Sequence, residues 1–193
     1  NVEGLENLRI ADTPVVYAAN HQSHMDGPVI LAALPGNQRR KVAIAAAKEF
    51  FSGHFHPKQH SWRERVTGKL MFYLASLMFN IFPLPQRESG TRGAIRHLGN
   101  LLGEGSSVLI FPEGKRSETG EIQSFRPGIG MIASRLQIPI VPVRIEGLDR
   151  ILHVSWRMAK PGKARVTFGR PLTLEGDDYQ ALAQQVQEAV RSL

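Results

Sequence analysis

Residues 19–28, ANHQSHMDGP, place two histidines and an aspartate within six positions, directly after an apolar run. Those residue types support three readings: metal ligation, proton transfer, or a plain strand-to-helix turn. On a helix, His21 and Asp26 would stand about 140° apart at roughly 100° per residue and would not face each other. In a loop entering a helix that starts near Gly27-Pro28, they could touch. An imidazole held by a carboxylate has one nitrogen fixed as a donor and the other left to accept a proton, the arrangement that activates a hydroxyl. His21 is then a general base and Asp26 its partner. The metal reading takes His21, His24 and Asp26, helped by His54, His56 and His60 of GHFHPKQH, because zinc accepts imidazole and carboxylate ligands. The turn reading makes Asp26 a helix cap.

Other polar clusters follow apolar runs. In FPEGKRSETG (residues 111–120) a strand-like run ends in Pro-Glu-Gly and then presents Lys115, Arg116 and Ser117. In FPLPQRESG Arg87 follows another short apolar run. Guanidinium forks match phosphate oxygens, and a lysine supplies them with a point charge. The chain has no cysteine, which excludes a disulfide framework, a thiolate zinc site and a cysteine nucleophile together. It also lacks a Gly-x-Ser-x-Gly elbow, and Ser23 reads as a turn residue rather than a nucleophile.

The elements that must position these residues are legible as alternating patterns. Apolar runs predict strands at Val15–Ala19, Val42–Ala47, Val108–Phe111 and Ile140–Ile145, with a later alternating one at Ala164–Phe168. Helical spacing predicts a helix over residues 89–103 and another opened by Pro127 that carries Ile129, Ile132, Ala133 and Leu136. A C-terminal helix follows, capped by Asp177 or Asp178, with Tyr179, Leu182, Val186 and Val190 on one face. Strand-helix alternation with doubly apolar strands predicts an α/β fold, one domain with a mostly parallel central sheet flanked by helices. Pro142 suggests an edge position or a bulge in its strand. Sites in open α/β sheets lie beyond the carboxyl ends of the strands. His21, Lys48 and Glu113 each follow such a run, so three polar clusters are expected on one rim.

The 193-residue chain carries 24 Lys and Arg against 17 Asp and Glu, a net charge of +7, which favours anionic partners. Neither an RNA-binding aromatic motif nor a recognition helix is visible, so no nucleic acid is expected. The apolar stretch LMFYLASLMFNIFPLP (residues 70–85) is too short and mixed to span a bilayer. With the basic start at Arg63, Arg65 and Lys69, a helix from about Trp62 to Asn80 suits a membrane interface or an acyl-chain groove, or equally a core helix with a charged first turn. The opening NVEGLENLRIADTP reads like the interior of a longer protein.

Together these residues resemble the glycerolipid acyltransferase family, which contains the 1-acylglycerol-3-phosphate acyltransferases. Asn20, His21, Ser23 and Asp26 match its first motif, Phe82 to Arg87 its second, Phe111 to Ser117 its third, and Ile138 to Val143 its fourth; Lys48-Glu49-Phe50 matches a further Lys-Glu-apolar element. Lys115 stands where the family usually has threonine, and a longer, more basic insertion precedes the second motif.

The resemblance implies the glycerol-3-phosphate (1)-acyltransferase fold over residues 1–193, as one domain of a longer or fused polypeptide. It implies transfer of a fatty acyl group from an acyl-CoA or acyl carrier protein thioester to the free hydroxyl of a lysophospholipid. The simplest case is lysophosphatidic acid giving phosphatidic acid, in phospholipid biosynthesis at the cytoplasmic membrane surface, with the protein peripheral or anchored. His21 and Asp26 would be catalytic, Arg87, Arg116 and Lys48 would hold the acceptor phosphate, and Ser23, Glu113, Gly114 and Lys115 would form the substrate rim. No metal and no cofactor beyond the thioester co-substrate would be needed. The competing functions are a metal-dependent hydrolase built on the histidines and a non-catalytic basic lipid-binding module.

Overall fold

Side chains alternate across a strand, so runs that are apolar at every position must be covered on both faces. The computed structural model, which describes residues 1–10, 14–47, 81–84, 91–153 and 158–193, shows this arrangement. The described strands are β1 (Val2–Glu3), β2 (Val16–Ala19), β3 (Val42–Ala47), β4 (Ile81–Leu84), β5 (Ser107–Ile110), β6 (Ile140–Glu146) and β7 (Arg165–Phe168). They form one sheet in the order β1-β7-β6-β2-β5-β3-β4. From β6 to β4 all pairs are parallel; β7 runs antiparallel to β6, and β1 parallel to β7.

The described helices are α1 (Asp26–Ala33), α2 (Gly36–Arg39), α3 (Thr91–Gly103), α4 (Gly128–Leu136), α5 (Leu148–Ile151) and α6 (Tyr179–Arg191). Val16, Ala18, Val108, Ile110 and Ile140 pack on one face with Leu98 and Leu102 of α3, Ile129 and Ile132 of α4, and Leu182, Val186 and Val190 of α6. Val15, Tyr17, Ala19, Leu109, Val141 and Val143 pack on the other face against Ile30 and Leu31 of α1. Each fully buried aliphatic side chain contributes roughly 1.5–3 kcal/mol. Asp178 caps α6 by accepting from Ala181 N at 2.9 Å, and Pro127 sits at the position just before α4.

The chain's route creates a crevice. After β2 it passes through α1 on one face to β3, two places along the sheet; after β5 it passes through α4 on the opposite face to β6, two places the other way. The carboxyl ends of the neighbouring strands β2 and β5 therefore flank a topological switch point, where connections leave in opposite directions and a ligand has room.

Ile81–Leu84, a short apolar run that was not among the expected strands, forms β4, which pairs with β3 and lies at the edge of the described sheet. The helix expected from about Trp62 to Asn80 lies outside the described residues. Pro142 is not at an edge, because β6 pairs with β2 on one side and β7 on the other, but it lies at a bulge as the sequence suggested: Val143 faces Phe168 while Ile140 faces Leu172, so the register slips by one residue between them. Its carbonyl accepts from Gly169 N at 2.8 Å, one residue beyond the end of β7. The donor that proline lacks thus falls at the bulge, between the Val143–Phe168 and Ile140–Leu172 pairs. Gly169 supplies the space, since a Cβ there would come within 2.6 Å of Pro142 Cγ. Among the described residues, no helix is long and apolar enough to cross a membrane.

Candidate active site

His21 leaves β2 and Asp26 opens α1, so the intervening turn folds the aspartate back toward the histidine. The His21 Nδ1 to Asp26 Oδ2 distance is 2.6 Å. The same oxygen accepts from Gln22 N at 2.6 Å and Ser23 N at 2.9 Å. Asp26 is not a side-chain cap of α1, whose N-cap is Met25; its carboxylate organises the preceding turn while lying at the positive end of the helix dipole. A carboxylate only accepts, so His21 Nδ1 carries the proton and Nε2 presents the lone pair. Nε2 hydrogen-bonds to no described residue, and the ring is 19% exposed, whereas Asp26 is fully buried. Phe111 leaves β5 and stacks on the imidazole, with centroids 4.2 Å apart and planes 19° from parallel.

Glu113 ties the two rim loops together. Its Oε1 accepts from His21 N at 3.0 Å and its Oε2 from Gln123 N at 3.3 Å, while Ser117 N donates to His21 O at 2.8 Å. Burial pushes the Glu113 carboxyl up to about 7, against the lowering effect of its two backbone donors. Asn20 continues the sheet beyond β2: its Nδ2 donates to Ile145 O at 2.9 Å and Ile145 N donates to its Oδ1 at 2.7 Å.

His21, Asp26, Gly114, Lys115 and Arg116 are gathered at this rim. Gly114 has φ +74°, and the Arg126 guanidinium lies where a Cβ would be, with Cζ at 2.5 Å from that position. Lys115 is exposed, and Arg116 Nη1 lies 3.1 Å from His24 Nδ1. Burial lowers the pKa of Arg116, yet a guanidinium stays charged.

Ser23 and Glu113, expected on the substrate rim, are instead internal braces. Ser23 is fully buried and its Oγ donates to Leu152 O at 2.7 Å; Glu113 is 4% exposed with both oxygens committed to backbone amides. Both groups satisfy buried backbone atoms in this structure. Lys48, Arg87, His54, His56 and His60 lie outside the described residues, although β3 brings the residue before Lys48 to the same rim. Sequence reading missed the stacking role of Phe111 and the bridge made by Asn20. The aromatic immediately after a strand was the only available signal for the first.

A cavity of about 380 Å³ opens beside Asn20 and Gln22. It is lined by Arg144, Arg150 and Arg191 and by Glu121, Glu146 and Asp149, so its formal charges cancel. Lys115 and Arg116 bring positive charge to the rim near His21.

Comparison with known proteins agrees with this architecture. A family model described as Acyltransferase matches residues 1–146. The chain is 30% identical over 176 residues to the chloroplastic 1-acyl-sn-glycerol-3-phosphate acyltransferase LPAT1 of Arabidopsis thaliana, covering 89% of this chain and 43% of that protein. It is 26% identical over 186 residues to 1-acyl-sn-glycerol-3-phosphate acyltransferase alpha of Mus musculus, covering 93% of this chain and 58% of that one. It thus spans about half the length of these relatives. The crystal structure of the 1-acyl-sn-glycerophosphate acyltransferase PlsC from Thermotoga maritima superposes with a TM-score of 0.68 at 26% identity, covering 100% of this chain and 71% of that one. A family match running from β1 through β6, with a structural match over the whole chain, places this protein in the acyltransferase family.

Proposed function

We propose that the chain moves a fatty acyl group from a thioester, on coenzyme A or acyl carrier protein, to the free hydroxyl of lysophosphatidic acid, yielding phosphatidic acid. The observation that carries this reading is the His21–Asp26 pair at 2.6 Å, which leaves Nε2 as the acceptor of a proton at the sheet's switch point. The names of the relatives supply the substrate class.

In this mechanism Nε2 takes the hydroxyl proton as the oxygen attacks the thioester carbonyl. Asp26 stabilises the imidazolium that forms, and the proton returns to the departing thiolate as the tetrahedral intermediate collapses. Arg116 and Lys115, with Lys48 and Arg87 from the sequence, hold the acceptor phosphate. The amides of the first motif are the nearest backbone groups that could serve the oxyanion. Those of His21, Gln22, Ser23, Met25 and Asp26 are all committed to other acceptors. The oxyanion is therefore assigned to groups beyond these amides.

The metal reading loses support at His24, because its Nδ1 faces a guanidinium and a second cation there would meet repulsion. The net positive charge supports action at an anionic membrane surface, with the protein peripheral or anchored.

The test is thiol release from palmitoyl-CoA in mixed micelles, with and without lysophosphatidic acid. Wild type should give acceptor-dependent release that persists in EDTA, and His21→Ala should reduce it by at least about 10²-fold while leaving the circular dichroism spectrum intact. Near-normal turnover in that variant would remove His21 as the base. Chelator-sensitive hydrolysis without acceptor would favour the metal enzyme, and lipid binding without turnover the non-catalytic module.

A further inference from the structure

The two histidines of the opening motif are held in opposite tautomers. His21 Nδ1 faces an acceptor, Asp26 Oδ2, and must carry a proton. His24 Nδ1 lies 3.1 Å from Arg116 Nη1, which can only donate, so that nitrogen must present its lone pair. His24 is consequently neutral in this arrangement, with its proton on Nε2, and its lone pair is already engaged. A second general base is therefore not what His24 provides.

The loops on either side of this contact are fixed independently of it. Ser23, immediately before His24, is anchored through Oγ to Leu152 O at 2.7 Å and accepts from Met25 N at 3.3 Å. Ser117, immediately after Arg116, donates its N–H to His21 O at 2.8 Å. Both backbones are thus pinned while the Arg116 side chain retains several rotatable bonds. An acceptor nitrogen at a fixed point selects among the orientations of the guanidinium fork, which loses entropy before a ligand arrives rather than on binding. Burial and the Arg116 charge both lower the pKa of His24, which keeps it neutral and able to accept near pH 7.

We propose that His24 is a positioning residue for Arg116, holding the guanidinium in the orientation that receives the phosphate of the acceptor. The proposal rests on the assignment of Arg116 to acceptor binding made above. It predicts a specific kinetic signature: His24 acts on recognition of the acceptor and leaves the acyl donor and the proton transfer at His21 untouched. It also predicts which replacement can substitute, because the side-chain oxygen of asparagine reaches nearly the position of histidine Nδ1 and accepts from the same Nη1.

The experiment compares wild type, His24→Ala, His24→Asn and Arg116→Ala in steady-state thiol release, varying lysophosphatidic acid and palmitoyl-CoA separately. His24→Ala is expected to raise the acceptor KM about tenfold, the scale of a lost hydrogen bond to a charged group, with kcat and the donor KM within about twofold of wild type. His24→Asn should recover most of the acceptor KM. An unchanged acceptor KM in His24→Ala, while Arg116→Ala raises it, would overturn the positioning role and leave the function of Arg116 standing. An unchanged acceptor KM in Arg116→Ala would instead overturn the assignment of Arg116 itself. A matched loss of kcat for both substrates in His24→Ala, unrelieved in His24→Asn and accompanied by a lower melting temperature, would make His24 a merely structural residue and also overturn the proposal.

Discussion

Asp26 Oδ2 accepts three hydrogen bonds, from His21 Nδ1, Gln22 N and Ser23 N, while its buried Oδ1 accepts none from a described residue. One carboxylate oxygen therefore does all the positioning. The amide oxygen of asparagine can take its place, so Asp26→Asn should preserve the loop and the His21 tautomer while removing the negative charge opposite the imidazolium. We expect kcat to fall about 10²-fold with little change in acceptor KM, and Asp26→Ala to fall further because the tautomer lock is lost as well. Equal losses in the two variants would show that charge alone matters. Glu113 makes a prediction in pH. Its carboxyl titrates near 7 in the folded chain against 4.5 ordinarily. Between those values the folded chain holds more protons than the unfolded one, so stability falls as pH rises through this window and levels above it. Glu113→Gln carries no such dependence. The melting temperature of wild type relative to Glu113→Gln should therefore decline from about pH 5 to about pH 8, and a constant difference would mean that the carboxyl does not titrate there.

Close packing of α4 on α6 depends on one residue without a side chain. A Cβ at Gly130 would come 2.3 Å from Tyr179 O and 2.9 Å from Leu182 Cβ. Alanine favours a helix interior over glycine by roughly 1 kcal/mol, but here the clash is with backbone and must separate the helices. Gly130→Ala should destabilise the fold by about 1–3 kcal/mol, measured as a lower urea midpoint with an unchanged slope. An equal or higher midpoint would mean that the helices separate at no cost. At this scale much was legible. The apolar faces of α4 and α6 and the core strands follow from the local apolar pattern, because each such residue reports its own burial, and the cap of α6 was narrowed to Asp177 or Asp178, of which Asp178 accepts the bond. The two-residue β1 and the edge strand β4 were not found, since too few residues carry the pattern and backbone pairing with β7 and β3 makes the strand. Pro142 suggested an edge or a bulge, and only pairing with residues far along the chain decides for the bulge, since Val143 faces Phe168 but Ile140 faces Leu172.

Across the molecule, the site exists because loops distant in sequence meet at the ends of adjacent strands. Ser117 N reaches His21 O and Glu113 reaches His21 N only because β5 pairs with β2 in parallel. The amino-acid sequence by itself determined the α/β class, the chemistry available at His21 and Asp26, and their placement in a strand-to-helix turn, all of which depend on neighbours within a few residues. It also marked Arg116 as a cation beside an apolar strand. Only the tertiary structure decided that Ser23 and Glu113 turn inward, that His24 and Arg116 meet, and that Phe111 covers the imidazole. Those outcomes depend on strand order and on which buried backbone atoms need partners, and a polar side chain looks the same in sequence whether it faces substrate or satisfies an amide 92 positions away.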